Sequence, residues 1–252
     1  MAHVRTDVQA GRQVQGRKPP GWGDDRLAAF LDVASDNVLG TYAQVRPQYD
    51  TVLQVDSAYV RFMENLLNPG DPVAPLFVLQ AHASYRAAAG LAISCQPSPA
   101  FMVMRGCLES SLYGLYFHRN PATFEVWTRR HESDQAKQRV KDEFTTRRLK
   151  DCLAQVDAST EEAVARLYEK TIDFGAHPNV AALAGAFRTA SAADRYQFQV
   201  IYLTKEPEVI RGTLKSVAQA GVCSLLIFRN VFPERFDLLG ITDTLRDLRG
   251  RL

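Results

Sequence analysis

Apolar residues recur every three and four positions along most of this chain, the spacing of one face of an α-helix. Leu27, Phe30, Leu31, Ala34 and Val38 align this way behind Asp24 or Asp25, either of which can cap a helix by accepting from its first amides. A second helix is predicted from about Pro47, with Val52, Val55, Tyr59, Phe62, Met63 and Leu66 on its face and NPGDP at 68–72 as its stop. A third covers about Val73 to Cys95, with Leu76, Phe77, Leu79, Ala83, Ala87 and Leu91 as apolar positions and enough alanines for a neighbour to pack closely; CQPSP ends it. The fourth, Phe101 to His118, is apolar almost all round, and the short Pro-containing loop before it makes the third and fourth helices antiparallel neighbours.

Beyond Pro121 the pattern turns charged, anchored by Phe124, Trp127, Val140, Phe144, Leu149, Leu153 and Val156, which reads as a surface helix or a broken pair. Ser159 or Thr160 is placed to cap the next helix, with Glu161 and Glu162 in the first turn where the helix dipole favours anions. In YQFQVIYL, Tyr196, Phe198, Val200 and Tyr202 alternate with other residues, a period of two that fits one small β-hairpin near 182–203. A long helix opening at Glu206 and Pro207 and an amphipathic segment from Leu238 to Leu248 complete the chain. The expected fold is mainly α, a single-domain multi-helix bundle of about eight helices, with no internal repeat to suggest a solenoid.

Length and composition leave this picture in place. The chain has 252 residues, 46% of them hydrophobic, enough for one large core. Residues 1–22 lack the apolar centre of a signal peptide and read as a flexible basic N-terminal arm, leaving 23–252 as the helical domain. A net charge of +2 is too small to imply a polyanionic partner. Cys95, Cys107, Cys152 and Cys223 form no C-x-x-C pair, which points to free thiols and a cytoplasmic location. Gln80, His82, Arg86, Arg105 and Glu109 interrupt the most apolar stretches, so no membrane span is expected.

Two pairs carry the candidate chemistry. Arg105 and Glu109 lie one turn apart inside the most apolar helix, where charge is costly unless paired. They form either a structural ion pair or a site in which Arg105 grips an anion and Glu109 positions it or moves a proton. Asp173 and His177 lie one turn apart before Pro178, where a carboxylate can orient an imidazole as a general base or as one half of a metal site, or where His177 merely caps a helix end. No H-x-x-x-H or E-x-x-H spacing occurs, so neither a metal nor another cofactor is expected. The segment 129–150 holds eight basic and four acidic residues, a composition that suits a solvated, salt-bridged surface better than a nucleic-acid face. Asp173, Phe174 and Gly175 spell a kinase triplet, but no Gly-rich loop or H-R-D segment accompanies them.

The Arg105 and Glu109 helix, the tail YGLYFHRNP and the segment LYEKTIDFGAHPN together resemble a bacterial all-helical family of unknown function, distantly similar to HEPN-type and abortive-infection proteins, over about residues 75–180. The resemblance implies a homo-oligomer in which Arg105, Glu109, Tyr168 and His177 line one interhelical pocket, with a small ligand or RNA as partner. Many HEPN-type proteins are metal-independent ribonucleases built on an Arg and a His of one helix, separated by four to six residues. This chain departs from that pattern, because Ile172, Thr171 and Lys170 occupy the positions before His177 where the Arg would stand, leaving Lys170 as a cation for a phosphate. The two functions this leaves are a helical domain with a polar interhelical cluster, structural or ligand-binding, and a metal-independent ribonuclease or toxin of a defence system.

Overall fold

The computed structural model describes residues 18–67, 70–176, 187–192 and 195–252, and over them the chain is mainly helical. The first two helices are α1 (Arg26–Gln44), capped by Asp25 accepting from the Ala28 amide, and α2 (Arg46–Glu64). The next two, α3 (Ala74–Ile93) and α4 (Pro97–Arg119), form the most extensive helix pair of the molecule. Helix α4 starts a turn earlier than the apolar pattern suggests, because a proline in a first turn gives up no hydrogen bond. Three shorter helices follow, α5 (Thr123–Thr128), α6 (Asp134–Glu143) and α7 (Thr146–Ala154), where one surface helix or a broken pair was expected. Ser133 and Thr145 cap α6 and α7 and so divide the charged segment.

Helix α8 (Ala158–Thr171) begins one residue before the expected caps, and Asp157 caps it by accepting from the backbone and hydroxyl of Thr160. A single π-helical turn, Ile172–Ala176, continues it. Strands β1 (Phe187–Ala192) and β2 (Arg195–Val200) pair antiparallel, Phe187 opposite Val200. Helix α9 (Pro207–Arg229) runs through the centre against α2, α3 and α4, and every residue from Ala220 to Phe228 is buried. Two C-terminal helices, α10 (Pro233–Leu238) and α11 (Ile241–Arg251), close over α2 and α9.

Helix α2 buries the face read from its sequence, Val52, Val55, Tyr59, Phe62 and Met63. Helices α1 and α3 do not. In α1, Ala28, Ala34 and Thr41 are buried while Leu27 is 66% exposed. In α3 the buried stripe is Val78, Ala81, His82, Tyr85, Ala88 and Ala92, and Leu76 is 56% exposed. Small side chains let α3 lie close to α4, so the alanine stripe wins over the leucines.

At the start of the chain, residues 1–17 lie outside the described set, and Lys18 and Trp22 both reach Asp32 of α1, at 2.5 and 2.9 Å. All four cysteines are free and buried. No described helix is long and apolar enough to cross a membrane.

Candidate functional site

Arg105 and Glu109 form the predicted ion pair, Nε to Oε1 at 2.8 Å. The pair is not enclosed in an apolar core: the two side chains are 28% and 38% exposed, because they lie on the edge of α4 that faces α8. Tyr168 of α8 completes the cluster, its hydroxyl donating to Glu109 Oε1 at 2.8 Å while the Arg105 guanidinium lies 4.9 Å from its ring centre. Burial works against the Arg105 charge, but Glu109 outweighs it and raises the pKa; burial, together with the bond to Glu109, raises the Tyr168 phenol. Neither group is poised to exchange a proton near neutrality. The cluster therefore reads as a pin between α4 and α8.

Of the second predicted pair, Asp173 is an exposed residue of the π-helical turn, and His177 lies outside the described residues. That turn is pressed onto α4. A Cβ at Gly175 would stand 2.6 Å from the Ser98 carbonyl and 2.9 Å from the Met102 amide, so only glycine allows this approach. The run at 129–150 carries ion pairs, Arg129 with Glu125 and Arg148 with Glu143. Among the described residues, no group of three His, Cys, Asp or Glu is placed to hold a metal.

The core holds polar chemistry that the sequence did not advertise. Tyr59 of α2 donates to Ser224 of α9, which is also bonded to Ser111 of α4, and Ser111 donates to the Cys107 carbonyl at 2.8 Å. Beside this chain, His82 stacks on Tyr59 and meets Asp56 at 2.7 Å, and Arg86 grips Asp56 with two bonds of 2.7 and 2.9 Å. Burial alone would raise Asp56, but the bonds from Arg86 and His82 outweigh it and hold the carboxyl far below the usual carboxylate range. A carboxyl depressed in the folded state contributes stability above its unfolded pKa, about 3.9, and loses that contribution as pH falls towards its folded value. Asp56→Asn should therefore lower the urea midpoint at about pH 6, and by a smaller margin at about pH 3, in paired unfolding titrations. An equal deficit at both values would show that the charge contributes nothing.

A groove of about 430 Å³ lies between α8, α9 and α11. Its floor is apolar, from Ala163 and Leu167 of α8 and Val222, Cys223 and Leu226 of α9. Burial pushes the Cys223 thiol up to about 12, so it is floor and not nucleophile. Three cations line the groove, Arg166, Lys170 and Arg249, and among the described residues no carboxylate side chain does. Lys170 Nζ donates to Ser216 Oγ at 2.8 Å and lies 5.8 Å from the Phe101 ring centre; burial, with help from the Lys215 charge, lowers its pKa. Arg249 donates to Ser159 at 2.6 Å. A smaller recess of about 280 Å³, beside Tyr116 and Arg148, already has a carboxylate at hand, since Glu143 accepts from both.

Of these cations the sequence singled out only Lys170. The i, i+4 spacing of Arg166 and Lys170 was a usable signal, whereas nothing near Arg249 marks it. Among known proteins, no family model, no curated protein and no solved structure matches the chain.

Proposed function

We propose that this chain is a helical ligand-binding domain that takes a small organic molecule in the groove between α8, α9 and α11, with the Arg105, Glu109 and Tyr168 cluster serving as structure. The observation that supports this is the groove itself. Its volume of about 430 Å³ falls within the roughly 300–1,000 Å³ of small-molecule sites, and it pairs an apolar floor with a few convergent polar groups. The Arg105 pair is instead occupied by its own neighbours on α4 and α8. Four buried, free thiols fit a reducing cytoplasmic setting for such a domain.

The test is a thermal-shift screen of small organic acids, bases and neutral compounds against wild type, Ala163→Trp, which fills the groove from a half-buried position, and Glu109→Gln. A compound at about a hundred times its Kd stabilises the fold by about 2.7 kcal/mol. Such shifts are expected in wild type and Glu109→Gln and are expected to vanish in Ala163→Trp. Shifts that survive Ala163→Trp but vanish in Glu109→Gln would move the site to the α4 cluster and overturn the assignment.

A second reading, the HEPN-like metal-independent ribonuclease, is favoured by the position of Lys170, a half-buried cation beside Arg166 and Arg249 that suits a phosphate. Cleavage of RNA in EDTA by wild type, lost in His177→Ala, would select it; intact RNA would reject it.

A further inference from the structure

The groove also carries information about what it binds, and this step rests on the ligand-binding reading above. Lys170 is its most telling residue. Taking an ammonium partly out of water is unfavourable unless charge and hydrogen bonds compensate. Here the compensation is incomplete: Ser216 accepts one of its three N–H groups, the Phe101 ring lies nearby, and no carboxylate pairs with it among the described residues. Ser216 gives its own proton to the Gly212 carbonyl at 2.8 Å, so its hydroxyl is fixed as an acceptor and holds Lys170 in place.

The other two cations differ. Arg166 is an exposed partner of Glu162 at 3.9 Å, and Arg249 is exposed and bonded to Ser159. They add positive potential along the rim but are solvated. From Lys170 the groove continues along one face of α8, over Leu167 and Ala163 to Thr160, a rise of about 15 Å at 1.5 Å per residue. Opposite that face stand Val222 and Leu226 of α9.

We infer that the groove takes an amphipathic anion, an elongated apolar body with one carboxylate at its end, the carboxylate meeting Lys170 and the body lying on Leu167, Ala163 and the α9 floor. The anion supplies the counter-charge that no described residue gives Lys170, and the rim arginines repel a cationic ligand of the same shape. An uncharged ligand gains the floor alone.

Isothermal titration of the full chain with decanoate and decylammonium, each below its micelle concentration, and with decan-1-ol below its solubility limit tests this. Decanoate is expected to bind, decan-1-ol to bind at least about tenfold more weakly, and decylammonium not to bind. Lys170→Met should bring decanoate down to the level of decan-1-ol and leave decan-1-ol unchanged, and Ala163→Trp should abolish both. Equal binding of decanoate and decan-1-ol, or decanoate binding unaltered by Lys170→Met, would overturn the anionic head while leaving the groove as a ligand site. Binding of neither probe, or binding unaltered by Ala163→Trp, would remove the groove as the site of an amphipathic ligand altogether. The three-probe comparison uses wild type alone, so it stands whatever the variants do to folding.

Discussion

Gly221→Ala is expected to lower the stability of this fold by about 1–3 kcal/mol, read as a drop in the urea unfolding midpoint. A Cβ at Gly221 would stand 2.5 Å from both Tyr85 Cε2 and Val55 Cγ1, closer than any carbon pair tolerates. Neither neighbour can step aside. Tyr85 is buried, and its hydroxyl is tethered to the Val52 carbonyl at 2.8 Å, which fixes the ring between α3 and α2; Val55 is wholly enclosed. Alanine gains about 1 kcal/mol of helix propensity over glycine, which offsets only part of the overlap. Gly212, on the same helix, has nothing within 4 Å of its Cβ position, so Gly212→Ala should raise the midpoint by the propensity gain alone. Opposite shifts from one chemical change on one helix would show that α9 is held against α2 and α3 by close approach. A Gly221→Ala midpoint at or above wild type would refute that packing.

The same crossing shows what hydrophobic patterning reads well and where it fails. On α2, large side chains alternate with charged ones, so burial and hydrophobicity pick the same face, and Val52 to Met63 are legible. On α3 they diverge: Leu76 points outward while Ala81, Ala88 and Ala92 are buried, because a helix packed closely on both sides needs small residues more than large ones. A count of leucines cannot see this, since it depends on what α4 and α9 bring to the other side. Gly221 is illegible for the same reason; in sequence it is only a glycine in a helix, and its role exists only with Tyr85 in place.

The candidate site divides along similar lines. The Arg105 and Glu109 pair was legible because i, i+4 spacing fixes it within one helix, and Tyr168 joins it at the α4 and α8 contact. Its exposure was not legible, since an apolar surrounding in sequence is not one in space when the helix edge meets a hydroxyl and solvent. The groove is harder still. Lys170 and Arg249 come from segments far apart in the chain, and what gives Lys170 its meaning, that no carboxylate among the described residues pairs with it, is a property of the assembled surface.

Phe117→Ala is expected to cost about 3–5 kcal/mol, a large share of the roughly 5–15 kcal/mol that holds a domain together. Phe117 is almost fully buried, and its ring centre lies within 6 Å of those of Phe77, Tyr113, Phe124, Trp127 and Phe144. Removing the ring leaves a cavity that helices α3 and α4, already in close contact, cannot collapse to fill. The loss should also be uneven. Helix α5 has no buried residue, and it is held through Phe124 and Trp127, which meet Phe117 and, for Trp127, Phe77. In hydrogen exchange the amides of α5 should therefore lose protection first, followed by α6, while those of α9 weaken only with the global stability. Unchanged protection of α5 in a destabilised Phe117→Ala protein would mean that something other than this aromatic cluster docks it. Phe117→Leu, which fills part of the space without restoring the ring contacts, should recover much of the global stability and less of the α5 protection.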